Sequence, residues 1–213
     1  MAHPDYLPQP YSPMLPLEAN PDWNPFLLSS PGERSDPPRS ISTREGVGDR
    51  LRAAAFAEIQ AREAFNWAAS RFEDAPPSLR QAWQGLALAE DRHLQWLLSR
   101  LSELGIDVRE RKVSQHLWLS FMACASAQEF AVYMANAEER GRKAGERFHK
   151  ALYPADPVTA KIFGKIAEEE VAHIALAAKY FPAQGLHCPP AVEPGSTPWP
   201  GGLTGSPFGP HLN

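Results

Sequence analysis

The sequence has few of the residues that build cysteine-rich metal sites and membrane spans. Cys124 and Cys188 are the only cysteines among 213 residues, and no Cys-x-x-Cys pair occurs. This excludes a rubredoxin, zinc-ribbon or thioredoxin-type site within the sequence. No uninterrupted apolar run approaches the ~18 residues of a membrane-spanning helix, so we expect no membrane association.

Positive charge is also scarce. The chain has 21 Lys and Arg against 25 Asp and Glu, a formal net charge of −4. Since nucleic-acid binding calls for a clustered basic surface, we expect no nucleic-acid partner. The start, "MAHPDYLPQPYSPMLP", has neither the basic residues nor the apolar stretch of a secretory signal, which favours a cytoplasmic location.

Proline is nearly missing from the middle of the chain. Of the 22 prolines, ten lie in residues 1–40 and eight in 182–213. Because proline disrupts helix interiors, the sequence divides into a proline-rich N-terminal arm (1–41), a helical domain (42–181) and a proline- and glycine-rich C-terminal tail (182–213). In the arm, Trp23, Phe26 and Leu27 could dock on the core or belong to a mobile segment.

Capping signals predict four helices, at 42–72, 77–105, 126–153 and 156–180. A short loop joins the first helix to the second, and another joins the third helix to the fourth. Each of these two pairs should therefore be antiparallel. The link over 105–125 is long enough to cross a 26-residue helix of roughly 39 Å, with a turn or two of helix within it. The pattern predicts an all-α four-helix bundle with a long crossover between the second and third helices, the connectivity of ferritin-like proteins.

Glutamate and histidine recur with one spacing in both helical pairs. A glutamate lies 32 residues before a Glu-x-x-His motif, and the whole set repeats 80 residues later. The six residues of the two copies are Glu58, Glu90, His93, Glu138, Glu170 and His173. Each glutamate lies near the midpoint of a predicted helix, and residues three apart share a helix face, so the six side chains should meet in one layer.

A third Glu-x-x-His, Glu146 to His149, has Ser114 at the upstream position and lies near a helix end. We interpret this pair as solvated surface. Glu139 competes with Glu138 but breaks the repeat. Within the "EEE" run before His173, Glu168 and Glu169 are not both expected to point inward.

Four buried carboxylates without a cation would repel one another strongly or hold protons. Two divalent ions would neutralise them, and two glutamates plus two Glu-x-x-His pairs form the ligand set of ferritin-like di-iron carboxylate proteins. Carboxylate and imidazole ligands suit iron or manganese, although zinc is not excluded. The alternative is a repetitive solvated face that binds no metal.

The segment "FAEIQAREAF" (56–65) resembles the first helix of rubrerythrins, and "LAEDRH" and "AEEEVAH" resemble their second and fourth helices. Together with "RFEDAPPSLRQAW", these segments are more similar to a bacterial ferritin-like family of unknown function, over about residues 45–181. The resemblance implies that the six repeated residues are metal ligands. The third helix matches least, and the cysteine-rich iron domain of rubrerythrins is missing, so the resemblance implies an external electron donor.

These features predict an O2- or peroxide-dependent oxidoreductase, an oxygenase or oxidase, with two Fe ions (or Mn/Fe) and a small organic substrate. The alternatives are a rubrerythrin-type peroxidase and a non-enzymatic iron-binding or interaction protein with a structural metal site. Ala61, Phe65, Met134 and Ala135 could line a substrate pocket, or Phe65 and Met134 could fill the core. Arg62 and Arg142 could pair with the ligand carboxylates or lie on the surface. We also expect a homodimer.

Overall fold

The computed structural model describes residues 21–33 and 36–182. Over this part of the chain the fold is all-α, as predicted, and its extended pairing is a single bridge between Leu28 and Val113. The five helices are α1 (Arg44–Arg71), α2 (Pro77–Glu103), α3 (His116–Met122), α4 (Ala127–Leu152) and α5 (Pro157–Tyr180). The start of the predicted arm, nearly all of the predicted tail and Cys188 lie outside the described residues.

The long helices begin and end close to the predicted positions. Thr43 and Asp156 cap α1 and α5 by accepting hydrogen bonds from the amides of Gly46 and Thr159, both at 3.0 Å. Gly105, just beyond α2, has a φ of +61°, a conformation that glycine adopts without a steric penalty. These local signals explain why the sequence predicts the helix ends well.

The N-terminus of α4 differs slightly from the predicted capping box. Ser126 accepts a hydrogen bond from the Glu129 amide at 3.2 Å, as expected. The Glu129 carboxylate, however, accepts from the Ala125 amide at 2.7 Å rather than from the amide of Ser126 itself. Two amides at the helix start are therefore still satisfied.

Helix α1 packs chiefly against α2, and α4 packs chiefly against α5. One end of the helices is held by an aromatic cluster around the fully buried Phe130. The rings of Trp83, Phe121 and Phe65 lie 5.2, 5.8 and 6.2 Å from it. Each such side chain contributes about 1.5–3 kcal/mol by leaving water, so this cluster orients the helices firmly.

The end of the N-terminal arm docks on the helices. Trp23 and Phe26 are buried, with ring centroids 5.6 and 4.9 Å from Phe56. Leu27 is 37% exposed and does not join the core. The docking interpretation therefore holds for Trp23 and Phe26 and is wrong for Leu27.

An ionic cluster around Asp49 joins the arm, α1 and the crossover. The buried Asp49 carboxylate lies 2.7 Å from guanidinium nitrogens of both Arg39 and Arg111 and 3.1 Å from Arg52. Burial alone would raise the pKa of Asp49, but hydrogen bonds from Arg39 and the charge of Arg111 lower it to about 2. The carboxylate is therefore ionised at neutral pH and fixes the arm in place.

Within residues 21–33 and 36–182, none of the helices combines the length and the apolar character that a membrane span needs.

Candidate metal centre

The six residues of the sequence repeat lie together in the middle of the structure. Helix α1 supplies Glu58, α2 supplies Glu90 and His93, α4 supplies Glu138, and α5 supplies Glu170 and His173. Each is buried, with at most 9% of its surface exposed. Buried charged groups of this kind are costly unless they are paired or bind a metal.

The ligand atoms form two overlapping groups, each with all atoms within 4.8 Å of one another. The first group is Glu58, Glu90, His93 and Glu170, and the second is Glu90, Glu138, Glu170 and His173. Glu90 and Glu170 belong to both groups. Each group offers three carboxylates and one imidazole, a donor set that could hold a metal ion.

Helix α4 presents Glu138 rather than Glu139 to this cluster. Glu139 is half-buried and lies 2.6 Å from Arg142 and 3.0 Å from Lys143. These cations lower the pKa of Glu139 to about 2, first through the hydrogen bond from Arg142. Glu139 thus belongs to an ion-pair network on another face of α4, because adjacent residues of a helix point in different directions.

Both histidines direct Nδ1 at the carboxylates. Nδ1 of His93 lies 3.3 Å from Glu170 and 3.5 Å from Glu58, and Nδ1 of His173 lies 2.8 Å from Glu90. None of these contacts has hydrogen-bond geometry, and both oxygens of Glu90 and Glu170 are buried without a hydrogen-bond partner. Native proteins rarely leave so many buried polar atoms unsatisfied, whereas cations between them would satisfy all of them. The residues therefore fit a metal.

Without a cation, protons must balance the charge. Burial, and then the negative charges of Glu170 and Glu90, raises the pKa of Glu138 well above its usual value. Burial likewise raises the pKa of Glu58. Burial alone would lower the pKa of His173, but contacts with Glu170 and Glu90 outweigh it and raise the pKa to about 10. Without a metal, these side chains therefore hold protons, which incoming cations would displace.

Residues 16–185 match the model of a family described as "Protein of unknown function (DUF455)". The chain belongs to the DUF455 family. The match includes every described helix and all six clustered residues. No curated protein and no solved structure matches the chain. The family description names no activity, so the function proposed for this DUF455 protein rests on the site.

One contributor to the site was not predicted. The carboxylate of Glu169 lies 3.0 Å from Nε2 of His93, the ring nitrogen that points away from the cluster. Arg92 and Lys165 contact the same carboxylate at 2.6 and 3.2 Å. Its neighbour Glu168 is exposed, so the two do not both point inward, as expected. The repeat does not distinguish Glu169 from Glu168, because the equivalent residues in its first copy are Ala89 and Leu88.

Arg62 and Arg142 do not contact the cluster. Arg62 pairs with Glu63 and Asp91, and Arg142 pairs with Glu139 and Glu146. The surface interpretation is therefore confirmed for both. The carboxylates that they bind are those on the outer faces of the helices.

The third Glu-x-x-His motif is only partly as predicted. Glu146 is exposed, but His149 is half-buried, and its Nδ1 lies 2.8 Å from the carbonyl oxygen of Ala160. The prediction of a solvated His149 is wrong, because Gly164 of α5 leaves room for the ring between the two helices. His149 joins α4 to α5 and takes no part in the cluster.

A cavity of about 40 Å³ adjoins the cluster between α1 and α4. Glu58, Glu138 and Glu170 form one side of it, and Ala61 lines it as predicted. Phe65, Met134 and Ala135 are buried but do not belong to the lining, so the core interpretation of Phe65 and Met134 holds. Phe65 packs into the aromatic end of the core, as its ring contact with Phe130 shows.

Proposed function

We propose that this DUF455 protein is a ferritin-like di-metal carboxylate oxidoreductase that uses O2 or peroxide. The observation that carries the proposal is the sharing of Glu90 and Glu170 between two adjacent donor groups. Glu90 and Glu170 are placed so that two neighbouring cations would share them. A single cation would use only one of the two histidines.

Each half of the centre would have its own terminal ligands. Glu58 and His93 would hold one ion, and Glu138 and His173 the other, with Glu90 and Glu170 between them. Four carboxylates carry a charge of −4, which two divalent ions neutralise. We propose two iron ions, or one manganese and one iron, because carboxylate and imidazole donors suit these metals.

When bound in the ferrous state, a pair of iron ions supplies the two electrons with which O2 or peroxide is reduced. The chain itself supplies a water-poor site, because all six ligands are buried. Glu169 orients the ring of His93 through Nε2, which leaves Nδ1 free for the metal. We propose that a separate electron donor restores the reduced state.

The cavity beside Glu58, Glu138 and Glu170 favours an oxygenase or oxidase over a peroxidase. An organic substrate needs an apolar space next to the reacting centre, whereas peroxide alone does not. The lining combines three carboxylates with two glycines and with alanine, leucine, isoleucine and phenylalanine side chains. We therefore propose a small organic substrate.

Metal analysis of the freshly purified chain tests the centre. We expect two iron or manganese ions per chain in the wild type and loss of both in Glu90→Ala, since Glu90 belongs to both donor groups. Glu146→Ala is the matched control, because Glu146 also opens a Glu-x-x-His motif but is exposed. Equal metal content in the two variants would overturn the proposed centre.

Stopped-flow absorbance then tests the activity. The ferrous protein is mixed with O2 in one series and with peroxide in another, and we expect rapid oxidation of the iron. Iron-loaded protein that reacts with neither oxidant would reject the oxidoreductase but leave the metal centre standing.

A further inference from the structure

The cavity lies in a groove between α1 and α4, which we call the α1–α4 groove. Leu117 and Phe121 of α3 and Phe163 and Ile166 of α5 complete its lining. On α1, Ala54, Ala57 and Ala61 line it, and on α4 its wall is formed by Ala137, Gly141, Ala144 and Phe148. Both sets follow the spacing of a single helix face. The two helices run in opposite directions here, because Arg50 lies over Phe148 near one end while Phe65 contacts Phe130 near the other.

Small side chains on both walls leave a slender apolar space. A larger residue at most of these positions would fill it, so the space follows from the choice of alanine and glycine on both helices. The volume of the cavity is about 40 Å³, several times the space that one water needs. An apolar space of this kind is poorly suited to water and well suited to an aliphatic chain.

The two ends of the groove differ in charge. Glu58, Glu138 and Glu170 line the inner end. At the outer end Phe148 lines the cavity, and the guanidinium of Arg50 lies 5.8 Å from the centroid of its ring, although Arg50 itself does not line the cavity. Nη1 of Arg50 is buried without a hydrogen-bond partner. Burial lowers the pKa of Arg50, and the charge of Asp49 offsets this only in part, so a bound anion would stabilise the guanidinium further.

We propose that the α1–α4 groove binds an unbranched aliphatic carboxylate, with its acid group at Arg50 and its chain end beside Glu58 and Glu138. The orientation follows from Arg50, whose unpartnered Nη1 can donate a charge-assisted hydrogen bond to the acid group. Arg50 and Glu58 are eight residues apart on one helix, about 12 Å, which suits a medium-length chain. The role of this ligand as substrate rests on the proposed function, whereas its binding does not.

Calorimetric titration of the metal-free, full-length protein tests the binding, with octanoate as the probe and octanol as its uncharged counterpart. We expect octanoate to bind the wild type at least about tenfold more tightly than octanol, because a hydrogen bond to a charged group adds that much. Arg50→Gln should remove this preference. Arg109→Gln, at an exposed position of the crossover, should keep it.

A second pair of variants tests the location. Gly141→Leu fills the groove and should weaken octanoate binding about tenfold or more, because the chain loses its place. Gly85→Leu makes the same change on α2, where a side chain meets nothing within 4 Å, and should bind like the wild type. Both replace a helical glycine by a better helix former, so neither should fail to fold.

The outcomes separate the two proposals. If the wild type does not bind octanoate, prefers octanol, or loses binding equally in Gly141→Leu and Gly85→Leu, the groove ligand is rejected whatever the metal content. If octanoate binds as expected but the wild type holds no metal, the di-metal function is rejected and the groove stands. Metal content should be equal in wild type, Gly141→Leu and Arg50→Gln.

Discussion

Replacing Glu169 by alanine tests whether the two halves of the proposed centre differ in strength. The Glu169 carboxylate lies 3.0 Å from Nε2 of His93, and among the described residues none hydrogen-bonds to Nε2 of His173. In the sequence repeat the residue equivalent to Glu169 is Ala89, which cannot accept a hydrogen bond. The half of the centre that contains His93 should therefore have a better oriented and more basic ligand than the other half.

The expected magnitude follows from comparable metal sites. Removing the outer hydrogen-bond partner of a histidine ligand weakens metal binding by about 10- to 100-fold, or about 1.4–2.8 kcal/mol. Glu169 also pairs with Arg92 and Lys165, but both cations are well exposed, and such pairs contribute about 1 kcal/mol at most. The larger effect should therefore come from the contact with His93.

Anaerobic titration with Mn(II) or Fe(II), followed by calorimetry, measures this effect. We expect two binding steps in the wild type and selective weakening of one step in Glu169→Ala. Glu168→Ala removes an exposed carboxylate from the preceding position, and Arg92→Gln removes an ion pair but keeps the contact with His93. Both controls should bind like the wild type. Equal weakening of the two steps, or the same loss in Glu168→Ala, would refute an orienting role for Glu169.

Three further predictions concern the ligands and the framework. Glu138→Gln should lose at least one metal ion per chain and Glu139→Gln should keep both, because only Glu138 faces the cluster. Elemental analysis of the two variants measures this, and the opposite result would make Glu139 the ligand. Phe130→Ala should lower the free energy of unfolding by about 3–5 kcal/mol in urea denaturation, since it leaves a cavity in the aromatic cluster; a loss below ~1 kcal/mol would contradict that packing. The pKa of Asp49 is about 2 in the fold against 3.8 ordinarily, so its ionised form stabilises the fold above pH ~4 and this contribution disappears as pH falls towards 2. The difference in unfolding free energy between wild type and Asp49→Asn should therefore shrink by about 2 kcal/mol between pH 5 and pH 2, and a constant difference would reject the ion-pair explanation.

The helix ends were predictable because their signals are local. Thr43, Asp156 and Gly105 each act on amides or dihedral angles within a few residues, and the structure shows the expected caps. The convergence of the six site residues was also predictable, because helical periodicity and the 80-residue repeat together specify which faces meet. Their role as metal ligands stays a prediction, supported by the unpartnered atoms of Glu90 and Glu170.

Other features depend on packing between distant segments and could not be read from spacing. The sequence predicts His149 as a surface residue, but Gly164 on the facing helix makes room for its ring. Trp23 and Phe26 lie in a proline-rich segment whose docking requires Phe56 and Trp118 on two other elements. The sequence left two interpretations open for Phe65 and Met134, pocket lining or core, and the structure supports the core. Spacing could not decide between them, because closeness to a site residue along a helix does not say which side faces a gap.

The repeat also shows where the two halves of the molecule differ. The six repeated residues are placed symmetrically, with one terminal glutamate and one histidine in each donor group. The surroundings are not symmetric, because Glu169 has Ala89 as its counterpart and the cavity meets Glu58, Glu138 and Glu170 but neither histidine. A structure that only stored or held metal would not need such differences, whereas a centre that binds a substrate on one side does. The asymmetry around six symmetrically placed side chains therefore supports the proposed reaction over a storage role.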